Sequence, residues 1–300
     1  MTVSDPKTAG GLPYALGAYV IWGVLPLYIV LLNTVDPFHL VAWRVLWTVP
    51  ICLAALAISG SLGKLTAAFA DRRALGLLLL SSALISVNWV TYVAAVQAGH
   101  FYAASLGYYI NPLVNVLLGT VLLRERLSRL QWLAVAIAAC GIAVLAFEAR
   151  DTLLISLTLA FSFGFYGLVR KRVKVDALPG LSVEVLVLTL PAIAALLIVP
   201  AGKEDFGDGW RISLLLVAAG PITGLPLMLF AEAARRMTYS ALGFVQFLTP
   251  TVVFIQALVL FGEPLKPAQG LCFVLIWIAI AVFCADIVLR GRRAATTAPA

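Results

Sequence analysis

What this sequence has least of is charge. Asp, Glu, Lys and Arg make up 12% of its 300 residues, where a soluble globule carries about 25% to solvate its surface. A water-soluble domain is thereby excluded. Histidine is nearly missing, at two residues, and the four cysteines (Cys52, Cys140, Cys272, Cys284) fall in or beside apolar runs with no CxxC pair. The thiols read as small buried apolar side chains, not as a disulfide or metal framework. No HExxH and no aspartate-rich motif occurs. Gly63-Lys64 is followed by Leu65 and lacks the upstream glycine of a phosphate loop. The residue patterns of metal, cofactor and direct ATP chemistry are thus missing, and the expectation is no enzyme, no cofactor and no metal. Residues 1–11 are polar with one Lys7 and do not resemble a cleaved signal peptide, so the first apolar run is expected to act as the uncleaved insertion signal.

What is present is apolar length. Hydrophobic residues are 62% of the chain, in stretches of about 20, the number that crosses a hydrocarbon core. Helices are expected near 12–32, 38–58, 74–97, 101–123 and 129–148, then 151–170, 181–200, 211–235, 239–262 and 267–289. The fold class is an all-α polytopic membrane protein with ten transmembrane helices, a tail at 1–11 and a basic tail at 290–300. A net charge of +7 would suggest nucleic acid in a soluble chain. Here the basic residues lie between spans and act as topology signals, so no nucleic-acid partner is expected. With the N-terminus inside, 16 of the 21 Lys and Arg residues fall in inner segments. The positive-inside rule then expects both termini in the cytoplasm of a bacterial inner membrane, with the tail against anionic lipid headgroups.

The two halves of the chain resemble each other. ASLGYYINPLVN leads to LLRERL in the first, and SALGFVQFLTPTVV leads to LFGEPL in the second. Pro112 and Pro250 are 138 residues apart, and the same offset pairs Glu125 with Glu263 and Gln131 with Gln269. Looser matches set Ile21–Gly23 against Phe165–Gly167 and Arg44–Pro50 against Glu184–Pro191. Five helices per copy is an odd number, so the copies (12–148 and 151–289) enter the membrane from opposite sides. Inverted repeats are the usual symmetry of carriers that work by alternating access. Pro112 and Pro250 are the candidate bends beside a central cavity, since each removes a backbone donor that lipid cannot replace.

IWG in the first helix, WRVLW in the second, SLGYYINPLVNVLLG with RERLSRLQWLAV, and LAFSFGFYGLVRKR with the closing FGEPL resemble the RarD-type members of the EamA family, in the drug/metabolite transporter superfamily. The resemblance covers about 12–290 and is most specific at 101–133 and 158–172. It implies an exporter whose first, third, fourth, sixth, eighth and ninth helices line a substrate cavity. By analogy it also implies small amphipathic metabolites as cargo, amino acids (aromatic ones included) first and chloramphenicol-like drugs second. A channel or receptor is a more remote reading.

Polar groups inside a bilayer are expensive and are functional candidates by default. The substrate-lining set is Tyr19 and Trp22 in the first helix, Asn88, Trp89 and Tyr92 in the third, Tyr108, Tyr109 and Asn111 in the fourth, Phe165 and Tyr166 in the sixth, and Gln246 in the ninth. Rings would cover an apolar body and amides fix polar ends. Ordinary interhelical bonding is the alternative for each. Arg44, the one cation well inside a span, suits either a substrate carboxylate or a structural bond. Glu184 and Glu232 are the candidates for a coupling proton, with solvated helix ends the commoner role. His39 and His100 sit at the outer boundary with no special task. Glu125 and Glu263 are expected to pair with Arg126 or Lys266, or to cap the next helix. The expected partners are lipid and a small-molecule substrate, with no obligate protein partner.

Overall fold

The computed structural model describes residues 6–98, 100–148, 150–260 and 266–296. Every regular element among them is helical: α1 (Pro6–Val30), α2 (Pro37–Ile58), a short α3 (Leu62–Ala70), α4 (Arg72–Gln97), α5 (Phe101–Val121), α6 (Arg129–Glu148), α7 (Leu153–Arg172), α8 (Ala177–Ile198), α9 (Trp210–Arg236), α10 (Tyr239–Gln246), α11 (Leu248–Val259) and α12 (Pro267–Thr296). Among the described residues nine stretches are long and apolar enough to cross a bilayer, α10 and the start of α11 counting as one. The tenth is α5, whose 21 residues have the length but whose Tyr108, Tyr109, Asn111 and Asn115 lower its hydropathy. Leu190, Leu197, Ile198 and Phe147 are more than three-quarters exposed, as befits side chains that meet lipid. The protein is a multi-pass membrane protein.

Local chemistry sets the helix starts. Asp36 accepts from Phe38 N (2.8 Å) and His39 N (3.4 Å) at the start of α2, with Pro37 in the first turn. Asp71 does the same for α4. Ser128 and Gln131 form a reciprocal capping box on α6. Gln269, the repeat counterpart of Gln131, accepts from Lys266 N at the start of α12.

Four boundaries differ from the sequence reading. Helix α1 begins at Pro6 and α12 reaches Thr296, so helix enters both expected tails. The 59–73 connection is mostly α3, whose Leu65 and Ala68 pack with Leu56, Leu78 and Val183. The ninth span is broken at Phe247, between α10 and α11. Pro250 offers no N–H to the Gln246 carbonyl, and bonding resumes at Thr251, whose N and Oγ1 both donate to Phe247 O (3.2 and 2.8 Å). By contrast α5 runs unbroken through Pro112.

The repeats are visible as duplicated contacts. Asn111 Nδ2 on α5 donates to Ala160 O on α7 (2.6 Å), and Thr249 Oγ1 on α11 donates to Tyr19 O on α1 (2.9 Å). Asn111 and Thr249 are partners in the Pro112–Pro250 register, so Tyr19 and Ala160 are partners too. The same register sets Gly23 against Gly164. A Cβ on Gly23 would lie 2.8 Å from Val252 and one on Gly164 2.6 Å from Val114, two valines that are themselves partners. This corrects the Ile21–Gly23 match: it faces Ser162–Gly164, not Phe165–Gly167. In α2 the buried series Arg44, Val45, Thr48, Cys52 matches Glu184, Val185, Leu188, Ala192 in α8. Arg44 and Glu184 are therefore counterparts. An even number of spans puts both chain ends on one face, the terminus face, opposite a far face. Of the four thiols, Cys52 and Cys272 are buried as expected, whereas Cys140 and Cys284 lie on the outside of the bundle.

Candidate functional site

Seven residues expected from the sequence meet around one small cavity in the middle of the bundle: Trp22, Arg44, Asn88, Trp89, Tyr92, Tyr108 and Gln246. Leu25, Phe163 and Thr249 complete its wall. The free volume is about 30 Å³, room for about two water molecules, so the halves are closed around the centre.

The walls are aromatic and held by their own contacts. Tyr92 and Tyr108 meet edge to face at 5.3 Å, and Trp22 meets Phe163 at 5.3 Å, geometries that rings prefer. Asn88 donates to Leu159 O (2.9 Å) and Ser162 Oγ (3.1 Å), which ties α4 to α7. Gln246 accepts from Asn115 Nδ2 at 2.8 Å, so Asn115 orients the amide at the point where α10 ends. Against this wall stands one cation. Arg44 is 3% exposed, donates from Nε to Thr223 Oγ1 (3.0 Å) and sits 5.1 Å from the centre of the Trp89 ring. Among the described residues its buried Nη1 has no acceptor and no carboxylate pairs with it. A guanidinium in a dry aromatic pocket is costly until an anion joins it, and a carboxylate makes the strongest match.

The other five expected residues lie elsewhere. Tyr19 is fully buried, donates to Leu242 O (3.3 Å) and packs on Phe230. Tyr109 is buried on α5 away from the cavity wall, and Asn111 is spent on Ala160. Tyr166 donates to Glu184 at 3.4 Å. Phe165 points outward, 37% exposed, beside Phe161. The ring expected from Phe165 comes from Phe163, because close packing of Gly164 on Val114 fixes the phase of α7. Glu184 is also not a solvated helix end. It is 1% exposed and accepts from Ser81 Oγ (2.5 Å), with Arg170 Nη1 at 3.5 Å. Glu232 does fit the solvated reading, paired with Arg236 one turn on at 2.5 Å.

The two faces are closed by different means. On the terminus face the repeats bond to each other. Glu125 accepts from Tyr239 N (2.6 Å), Ser240 N (2.9 Å) and Ser240 Oγ (2.7 Å), so it caps α10 in the other repeat, not Arg126, Lys266 or its own next helix. Arg124 before it takes φ 55° to turn the chain back, a conformation that costs about 1 kcal/mol in a residue with a Cβ. Glu263 lies outside the described residues. Arg172 donates to Leu122 O (2.8 Å), and Asp176 joins Lys64 and Arg235 at 2.9 Å each. The two bonds from those side chains hold the Asp176 carboxyl below its ordinary range.

On the far face the 199–209 segment folds over α2. His39 sets Nδ1 against Asp205 Oδ2 (2.5 Å) and Nε2 against Val199 O (2.9 Å). Both partners accept, so the ring is an imidazolium with both nitrogens protonated, a larger task than expected for His39. Trp43 Nε1 donates to Asp205 Oδ1 (2.7 Å) and Phe206 packs on the Trp43 ring. Burial pushes Asp205 up, but bonds from His39, the Phe206 N–H and Trp43 outweigh it and hold the carboxyl below its ordinary range.

The model of the EamA-like transporter family matches residues 9–147 and 152–285. The chain is 44% identical to an uncharacterised transporter of Pseudomonas aeruginosa over 93% of its length and 95% of that protein's. It is 38% identical to the protein RarD of Escherichia coli, covering 96% and 98%. It is 32% identical to the chloramphenicol-sensitive protein RarD of Pseudomonas aeruginosa, covering 90% and 92%. A crystal structure at 21% identity superposes with a TM-score of 0.74, covering 94% of this chain and 99% of that one, which speaks to the fold. The chain therefore belongs to the EamA-like transporter family, as a RarD-type member of the drug/metabolite transporter superfamily.

Proposed function

We propose that this transporter exports small amphipathic carboxylates, aromatic amino acids first among them, out of the cytoplasm across a bacterial inner membrane by alternating access. Both termini face the cytoplasm in this reading. The observation that carries it is Arg44: a buried guanidinium with one nitrogen unpartnered, facing an aromatic cavity with two amides on its rim. The rings cover an apolar body, Arg44 takes the carboxylate, and Asn88 and Gln246 meet remaining polar groups. The charge count along the chain supports the orientation.

The test is counterflow in proteoliposomes loaded with L-phenylalanine. Saturable exchange of labelled phenylalanine is expected in the wild type. In Arg44→Ala it should fall about tenfold to a hundredfold, the scale of one lost bond between charged groups. Absence of saturable exchange for phenylalanine, tryptophan, tyrosine and chloramphenicol alike in the wild type would contradict the reading. Saturable exchange of chloramphenicol alone would favour drug efflux instead.

A further inference from the structure

Arg44 and Glu184 hold the same place in the two repeats and are presented differently. Arg44 reaches the cavity, whereas Glu184 is withdrawn from it behind Ser81, Tyr166 and Arg170. Each bonds to a hydroxyl on the helix that the repeat symmetry assigns to it, Arg44 to Thr223 on α9 and Glu184 to Ser81 on α4. In an inverted-repeat carrier the halves exchange conformations, and the site opens to one face and then the other. Under that exchange each residue takes the surroundings its counterpart has now.

The register of the duplicated contacts fixes which residues trade places. Trp22 and Phe163 are counterparts and both line the cavity already, as do Tyr108 and Gln246; these four stay. Thr249 gives way to Asn111, Leu25 to Tyr166, and Arg44 to Glu184. Asn111 and Tyr166, expected from the sequence and left out of the present cavity, thus enter in the other state. The 138-residue offset continued into α4 and α9 replaces Asn88, Trp89 and Tyr92 by Pro226, Leu227 and Phe230. The substituted wall is again aromatic and amide-bearing, but its charge is reversed.

We infer that Glu184 is the charged group of the cavity in the state open to the terminus face, where it binds a substrate ammonium in the place Arg170 holds now. The Arg170 contact is long at 3.5 Å, beyond a well-made charged hydrogen bond of about 2.8 Å. Arg170 lies in the last turn of α7 and meets water once the terminus face opens, so the ammonium takes its place without leaving a dry unpaired guanidinium. A cargo that meets a guanidinium from one face and a carboxylate from the other carries both charges. The substrate class is accordingly the zwitterionic amino acid and not the simple carboxylate. This rests on the carrier reading proposed for Arg44.

The experiment uses oriented proteoliposomes and the probes L-phenylalanine and 3-phenylpropionate, which lacks the ammonium. In Glu184→Gln the half-saturating concentration of phenylalanine should rise at least tenfold from the terminus face and stay unchanged from the far face. The wild type should not take up 3-phenylpropionate from the terminus face, where the Glu184 carboxylate repels it, and Glu184→Gln should relieve that exclusion. An equal change on both faces, or none, overturns the inference. A substrate-free readout stands beside it. Leu227, 2% exposed, is the counterpart of the cavity residue Trp89 in the Pro112–Pro250 register. In a chain with the four native cysteines replaced by alanine, Leu227→Cys should react with an impermeant maleimide added at the terminus face. Failure to react there overturns the exchange of surroundings, even where Glu184→Gln does not reach the membrane. If the wild type does not carry phenylalanine while the Leu227→Cys chain labels from the terminus face, the cargo reading is overturned, and with it the ammonium, while the exchange stands.

Discussion

The two ends of the bundle are closed by different chemistry. At the terminus face the closure is between repeats: α5 lies along α10, and Glu125 ties the two with three hydrogen bonds. At the far face α5 scarcely meets α11, and the 199–209 segment is strapped to α2 through His39, Trp43 and Asp205. The α5–α10 contact closes one end of a seam and must break for the cavity to open on that side. The far-face strap also joins the repeats, but it ties α2 to the segment between α8 and α9, the two helices α2 packs against, and need not break. The present state is thus the one locked toward the termini, with the far face the easier to open.

The largest effect expected from breaking this contrast is at Glu125. Glu125→Ala removes the shared acceptor of Tyr239 and Ser240 and should cost the closed terminus face about 3 kcal/mol, roughly a hundredfold in population. Maleimide labelling of Leu227→Cys from that face should rise accordingly, and an unchanged rate would mean that Glu125 is no lock. Next comes the seam that both repeats share. Gly164→Ala forces a Cβ to 2.6 Å from Val114, and about 2 kcal/mol of lost stability is expected from the overpacking, read as a lower melting temperature in detergent. Gly23→Ala should behave alike if the register is right.

The smallest effect is the far-face strap. The Asp205 carboxyl is held below its ordinary 3.8, so its contribution is complete at neutral pH and is lost as pH falls through the depressed value. At most about 1 kcal/mol is at stake, since the pair is partly solvated. Tryptophan emission should therefore be flat down to the carboxylate range and then shift, and Asp205→Asn should abolish that step.

Much of the site was legible in the sequence because a bilayer punishes idle polarity. Arg44, Asn88, Gln246 and the rings Trp22, Trp89, Tyr92 and Tyr108 stood out by type inside apolar runs, and they converge. Leu25 and Thr249 gave no such signal, being ordinary in any span. Phe163 and Phe165 are two apart in an FSFGFYG run, and only the contact of Gly164 with Val114 decides which ring turns inward. Glu184 read as a solvated end because the α7–α8 turn is short. Its burial depends on Arg170, Ser81 and Tyr166 arriving from two other helices. Glu125 looked local and acts across the repeats, as pairing over more than a hundred residues leaves no mark in spacing.

Whether Arg44 meets a substrate carboxylate is decided by a thermodynamic cycle. Equilibrium binding of L-phenylalanine and of phenylalaninamide, which has no carboxylate, would be measured on the purified wild type and on Arg44→Ala. The expected result is at least tenfold preference for phenylalanine in the wild type, vanishing in the variant, a coupling that belongs to the pair alone. Equal preference in both proteins would contradict it.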